Sequence, residues 1–226
     1  MIFEPSTDPP RLQDRRHAGR VLARRLAHYR GRPNLLVLAL PRGGVAVGFE
    51  VAHALAAPLD ILMVRKLGFP GHEEYAIGAL ASGGVRVMNT MPGIELPAQV
   101  VDAIVAREQA ELERRELLYR DGRPALGIRG RTVIVVDDGL ATGSTMRCAL
   151  LALRQQHPAH LVAAVPVGAL ASCQALDEDA DEVVCAFTPS PFQSVGQWYQ
   201  AFPQSSDEEV HSLLEEARRE RTPAPH

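Results

Sequence analysis

The chain has 226 residues, with 24 Lys and Arg against 27 Asp and Glu, a formal charge of −3 and an isoelectric point near 6.2. That balance supplies no bulk attraction to nucleic acid and excludes a polybasic mode of action. A composition of 46% apolar and 23% charged residues, with no clean apolar run longer than Leu35 to Leu40, excludes a membrane-spanning helix.

Three cysteines, Cys148, Cys173 and Cys185, are odd in number and lack CxxC spacing, so they read as packing or surface residues. The N-terminal sequence shows no basic segment followed by an apolar stretch. A reduced, cytoplasmic protein without a membrane partner is expected. A chain of this mass buries roughly 70% of its unfolded surface, so one domain over residues 1–226 is expected, with a core at about 35–186.

After a proline-rich leader, Ala18, Val21, Leu22, Leu26 and Tyr29 recur at helical spacing and predict an amphipathic helix over 14–30. Arg15, Arg16, Arg20, Arg24, Arg25 and Arg30 fill the rest of its circumference, either as a solvated face or as a phosphate or nucleic-acid patch. Residues 1–32 hold eight Arg against three acids, and 207–220 hold six acids against two Arg, so the two ends are expected to pair.

Leu35 to Leu40, bounded by Pro33-Asn34 and Pro41, reads as a strand buried on both faces of a parallel sheet. Pro41-Arg42-Gly43-Gly44 turns the chain into a helix over 45–55, and Leu59 to Val64 is a second buried strand, completing a right-handed βαβ unit. Gly68-Phe69-Pro70-Gly71-His72 is too rich in breakers for regular structure. His72, Glu73 and Glu74 read as solvated loop residues, with acid/base groups as the alternative. Pro97 to Tyr119 is dense in helix formers, with Glu111/Arg115 and Glu116/Arg120 at i,i+4, and predicts a helical insertion (96–120) outside the sheet. Thr132 to Val136 is the third strand, Thr145 to Gln156 a helix, Leu161 to Val167 the fourth strand and Glu182 to Ala186 the fifth. Ser206 and Glu209 form a capping box ahead of Val210, Leu213, Leu214 and Ala217. The pattern is a doubly wound α/β fold with a mainly parallel five-stranded sheet, helices on both faces and ligands beyond the carboxyl ends of the strands.

Those ends carry the chemistry. Val133 to Thr145 places Asp137 and Asp138 at a strand end, followed by Gly139, Leu140, Ala141, Thr142, Gly143, Ser144 and Thr145 opening a helix. Unpaired N–H groups at a helix start, together with hydroxyls, cradle a phosphate. Two carboxylates upstream suit sugar hydroxyls or the shell of a magnesium ion. A P-loop is excluded because no lysine is present, and a dinucleotide fingerprint because the glycine spacing fails. A glycosidase pair is excluded because adjacent residues leaving a strand point to opposite sides.

The stretch Val133 to Thr145 resembles the phosphoribosyl-pyrophosphate (PRPP) motif of the type I phosphoribosyltransferases. Leu40-Pro41-Arg42-Gly43-Gly44 resembles that family's pyrophosphate loop, and Arg65-Lys66 its flexible-loop entrance. The resemblance implies that Asp137 and Asp138 bind the ribose hydroxyls, directly or through magnesium. It implies that Leu140 to Thr145 bind the 5′-phosphate, and that Arg42, Gly43 and Gly44 bind the diphosphate beside a non-proline cis peptide at or next to Arg42. Arg42 and Lys66 would stabilise the departing charge. Phe192, Trp198 or Tyr199, in a hood formed by the chain ends (188–220 with the first helix), would stack on the base or serve as an apolar plug. A homodimer is also implied. The implied reaction also calls for a mobile lid that keeps water out, for which Gly68 to His72 has the composition; that lid lacks the lysine-rich pattern of orotate enzymes, and the hood matches no adenine, hypoxanthine/guanine or uracil pattern, so the base stays open. The expected activity is transfer of 5-phosphoribose between PRPP and a nitrogenous base with magnesium as cofactor. The alternative is a non-catalytic PRPP or nucleotide sensor signalling through the basic first helix.

Overall fold

Five apolar runs form a parallel sheet in the order β2-β1-β6-β7-β8, in a computed structural model that describes residues 11–88 and 96–221 but not the side chains of 73–76 and 221. The proline-rich leader lies outside the described residues. The strands are β1 (Leu35–Ala39), β2 (Leu59–Ile61), β6 (Thr132–Val136), β7 (His160–Val167) and β8 (Glu182–Phe187). Apolar residues line both faces because both are covered. Leu35, Val37, Ala39, Ile134, Val136, Val162 and Ala164 pack toward α1 (Arg15–Arg25), α2 (Gly43–Leu55) and α6 (Asp207–Arg221). Leu36, Leu38, Val133, Val135, Leu161 and Ala163 pack toward α4 (Ser144–Arg154) and α5 (Leu170–Ala175). This is the doubly wound α/β architecture that the alternation of strands and helices predicts. No helix among the described residues is long and apolar enough to cross a membrane.

Three local expectations are corrected. The breaker-rich segment Gly68 to His72 is not a loop: β3 (Val64–Phe69), β4 (His72–Ala81) and β5 (Val85–Met88) form a separate antiparallel sheet. Gly71 takes φ +77° in the turn between β3 and β4, and the register shifts at Leu67–Phe69 absorb the other glycine. The predicted second strand accordingly divides, with β2 ending at Ile61 and Val64 opening β3. The expected solvating role of Glu73 and Glu74 falls on side chains outside the described ones.

Cys173 and Cys185 are not unpaired. They are joined by a disulfide between α5 and β8, which the fold permits by bringing their Cα atoms to 6.7 Å. Cys148 is free and half-buried.

The two chain ends meet through one of the expected arginines, Arg15, whose Nη1 donates to the Pro203 carbonyl at 2.5 Å, while others on the helix turn to different partners. Arg16 and Arg20 reach Glu50 of α2 at 2.5 and 3.3 Å, and Glu215 of α6 meets Arg123 and Arg218. The ends also meet through the backbone. Leu12 N–H donates to the Trp198 carbonyl and the Leu12 carbonyl accepts from Gln200 N–H, at 2.9 and 2.8 Å.

The helical insertion is α3 (Ala98–Arg120), packed on β3, β4 and α6 through Ile104, Leu112 and Tyr119. Both predicted ion pairs form, Glu111–Arg115 at 2.7 Å and Glu116–Arg120 at 2.6 Å. Arg120 is buried and also reaches Asp60 at 3.1 Å and the Ile61 carbonyl at 2.7 Å, tying α3 to the edge strand β2. Ser206 caps α6, its hydroxyl accepting from Glu209 N–H at 3.1 Å.

Candidate active site at the carboxyl ends of the strands

In this strand order β1 lies beside β6 while the connection from β1 runs outward to β2, so the chain reverses its winding between β1 and β6. Ligands of open α/β sheets bind at such a switch point. The two motifs singled out in the sequence follow these two strands and therefore meet.

After β6, Asp137 and Asp138 stand side by side, with Asp138 N–H donating to Asp137 Oδ1 at 2.8 Å. Desolvation, then the Asp138 charge, holds the Asp137 carboxyl well above its ordinary range. Asp138 is also pushed up by desolvation, against the pull of the Arg15 guanidinium. Arg15 Nε donates to Asp138 Oδ2 at 2.8 Å, and Tyr199 donates its hydroxyl proton to the Asp138 carbonyl at 2.5 Å.

The following turn is pinned to the sheet. Leu140 N–H donates to the Val167 carbonyl, the Leu140 carbonyl accepts from Ala169 N–H, and the Ser172 hydroxyl donates to the Ala141 carbonyl. Gly143, at φ +73°, is the N-cap of α4 and offers no side-chain cap, which leaves the helix N–H groups to a ligand. The result is a cleft of about 180 Å³ lined by Asp137, Gly139, Thr142, Ser144, Thr145 and Val195. Larger clefts exist, including one of about 540 Å³ between α2 and α6 lined by Phe49, His53, Ala217 and Glu220. That one is wide but carries no comparable set of convergent donors.

The turn after β1 presses against the acidic pair. A Cβ on Gly43 would overlap the Asp138 carboxylate, and one on Gly44 would lie 2.8 Å from the Val136 carbonyl oxygen. Glycine at both positions is therefore a packing requirement. The Pro41–Arg42 peptide is cis, as the resemblance implies. Arg42 Nη1 lies 3.8 Å from Asp207 Oδ1 at the start of α6, and Tyr119 donates its hydroxyl proton to the same oxygen at 2.5 Å.

Lys66, on β3, reaches over the cradle, its Nζ 2.5 Å from Ser144 Oγ, while Thr142 Oγ1 lies 3.1 Å from the same hydroxyl. Arg65, its neighbour, is held by Glu108 of α3 at 2.6 Å. Gly43 and Gly44 thus abut the acidic pair and Lys66 reaches Ser144, while Arg65, held by Glu108, lines with Lys66 and Thr145 a neighbouring cleft of about 330 Å³. Of the hood aromatics, Phe192 stacks on Trp198 with centroids 6.4 Å apart, and buried Tyr199 packs on Phe202 at 4.7 Å. Sequence reasoning missed Arg15, Asp207 and Val195. Arg15 is one of five arginines on α1, and no spacing separates it from the others.

The profile of the phosphoribosyl transferase domain matches residues 12–196. The chain belongs to this family. It is 46% identical over 211 residues to a Mycobacterium tuberculosis protein whose name offers it as a candidate phosphoribosyl transferase. That match covers 92% of this chain and 47% of the relative, so the chain spans about half the length of that relative. A solved structure from Thermus thermophilus, of the protein TT1426, is 42% identical, with a TM-score of 0.81 over 91% of this chain and 98% of its own. In this chain Asp137 and Asp138, with the Gly139–Thr145 turn after them, and Gly43-Gly44 lie against one another at the sheet's switch point.

Proposed function

We propose that this phosphoribosyl transferase moves 5-phosphoribose between PRPP and a nitrogenous base, with diphosphate as the leaving group. The observation that carries the reading is the convergence of a phosphate cradle, a carboxylate pair and a glycine-gated arginine turn within one site. In this reading the N–H groups and hydroxyls of Leu140 to Thr145 bind the 5′-phosphate. Asp137 and Asp138 accept hydrogen bonds from the two ribose hydroxyls. Arg42, Gly43 and Gly44 receive the diphosphate, and Lys66 closes over it from β3. Phe192 and Trp198 offer a flat surface for the base.

The bond between the anomeric carbon and the diphosphate oxygen breaks, a carbon–nitrogen bond forms, and the nitrogen loses its proton to solvent or diphosphate. Such a reaction needs positioning and stabilisation of departing charge more than covalent help. Asp137 and Asp138 supply two hard carboxylates and no soft donor, a donor set that fits magnesium held by one or two carboxylates together with substrate oxygens. When bound, magnesium would neutralise charge on the leaving diphosphate.

The test is diphosphate release from PRPP with a panel of purine, pyrimidine and pyridine bases. The expected outcome is release with one class of base and none with Asp137→Asn/Asp138→Asn. Proven PRPP binding without release for any base would overturn the enzymatic reading.

A further inference from the structure

We propose that Arg15 is a positioning residue of the pentose site, holding the Asp138 carboxylate in the orientation a vicinal diol requires. The inference rests on the reading of Asp138 as a sugar ligand and adds a residue from an element outside both sequence motifs.

Arg15 opens α1, 123 positions from Asp138 in sequence. Its Nε donates to Asp138 Oδ2 at 2.8 Å, its Nη1 donates to the Pro203 carbonyl at 2.5 Å, and its guanidinium carbon lies 3.8 Å from the centroid of the Phe202 ring. The side chain is 11% exposed and that of Asp138 16%. A guanidinium fixed by a carboxylate, a carbonyl and an aromatic face at once has little freedom to swing. It is therefore a strut and not a displaceable plug. A carboxylate accepts at about four lone-pair positions; Arg15 uses one, and the others remain for a ligand.

The same carboxylate residue is gripped from a second side, since Tyr199 donates to its carbonyl. The two grips belong to one unit. Leu12 and Tyr199 form a parallel bridge, and the Gln13 carbonyl accepts from Ala201 N–H at 2.9 Å, two residues before Arg15. Arg16 and Arg20, on the same helix, turn instead to Glu50. Gly43 packs where Arg15 and Asp138 meet, an added Cβ lying 3.1 Å from Arg15 Nε. The hood and the diphosphate turn thus both bear on one carboxylate.

The experiment is calorimetric titration of the full chain with ribose 5-phosphate and, separately, with inorganic phosphate, which carries no diol. Arg15→Ala is expected to weaken ribose 5-phosphate about tenfold and to leave inorganic phosphate unchanged, because the cradle is braced by Val167, Ala169 and Ser172 and not by Arg15. Arg15→Lys, which keeps the charge but not the fork, is expected to recover part of the loss, and it carries the same split of probes if the alanine variant does not fold. Unchanged or tighter ribose 5-phosphate binding in both variants would overturn the proposal, as would an equal loss for both probes. Asp138→Asn separates the two levels. If it leaves ribose 5-phosphate affinity intact, the pentose-site reading fails and the Arg15 role with it. If it weakens binding while Arg15→Ala does not, only the Arg15 role fails.

Discussion

Asp137 shows what placing a site at a strand end costs. Its carboxyl is desolvated beside a second carboxylate, which holds its pKa well above the ordinary 3.8. The sign follows from linkage. Below the unfolded value both states hold the proton and nothing is gained or lost; above it, the unfolded chain ionises freely while the folded one is penalised. Native stability therefore falls as pH rises from the unfolded value toward the raised one. Asp137→Asn, which can still accept from Asp138 N–H, is expected to raise the melting temperature at pH 7, with the gain shrinking as pH approaches 4. A lowered melting temperature, or a gain independent of pH, would contradict this. Residues whose role is local were legible from sequence: the acidic pair, the cradle and Gly43-Gly44 lie in two short segments. Arg15 and Asp207 were not, because their partners, Asp138 and Arg42, lie far away in sequence and only the folded chain joins them.

At the scale of elements, β3 and β4 explain both a misreading and the position of Lys66. Gly68, Pro70 and Gly71 are breakers in isolation, yet an antiparallel hairpin places them at its turn and at a register shift, where breakers are tolerated. Periodicity could not reveal this because β3 is short and half-exposed, with Val64, Arg65 and Phe69 only partly covered. The hairpin carries Lys66 to Ser144 while α3 restrains Arg65 through Glu108. Lys66→Ala is accordingly expected to weaken PRPP binding about tenfold, as loss of a charge-assisted contact to phosphate, with the melting temperature unchanged because the lysine braces no core. Arg65→Ala should affect stability more than binding, since its partner Glu108 is buried. Melting curves and PRPP titration of the two variants check both; equal binding losses would contradict the division of labour.

For the whole molecule, the parallel sheet was legible because each central strand is a continuous apolar run bounded by turn residues, a pattern demanded by helices on both faces. The same alternation predicted that ligands lie beyond the carboxyl ends, and the order β2-β1-β6-β7-β8 makes the meeting point specific to β1 and β6. The accessory antiparallel sheet, the Cys173–Cys185 disulfide and the backbone clasp between Leu12 and Tyr199 escaped sequence reading because each depends on packing between segments without periodic signature. The central claim is that the cradle and the acidic pair together form a PRPP site. Titration of the protein with PRPP, with and without magnesium, tests it most directly. Saturable, magnesium-dependent binding that disappears in Asp137→Asn/Asp138→Asn is the predicted result; no binding, or binding indifferent to the double substitution, would contradict the account.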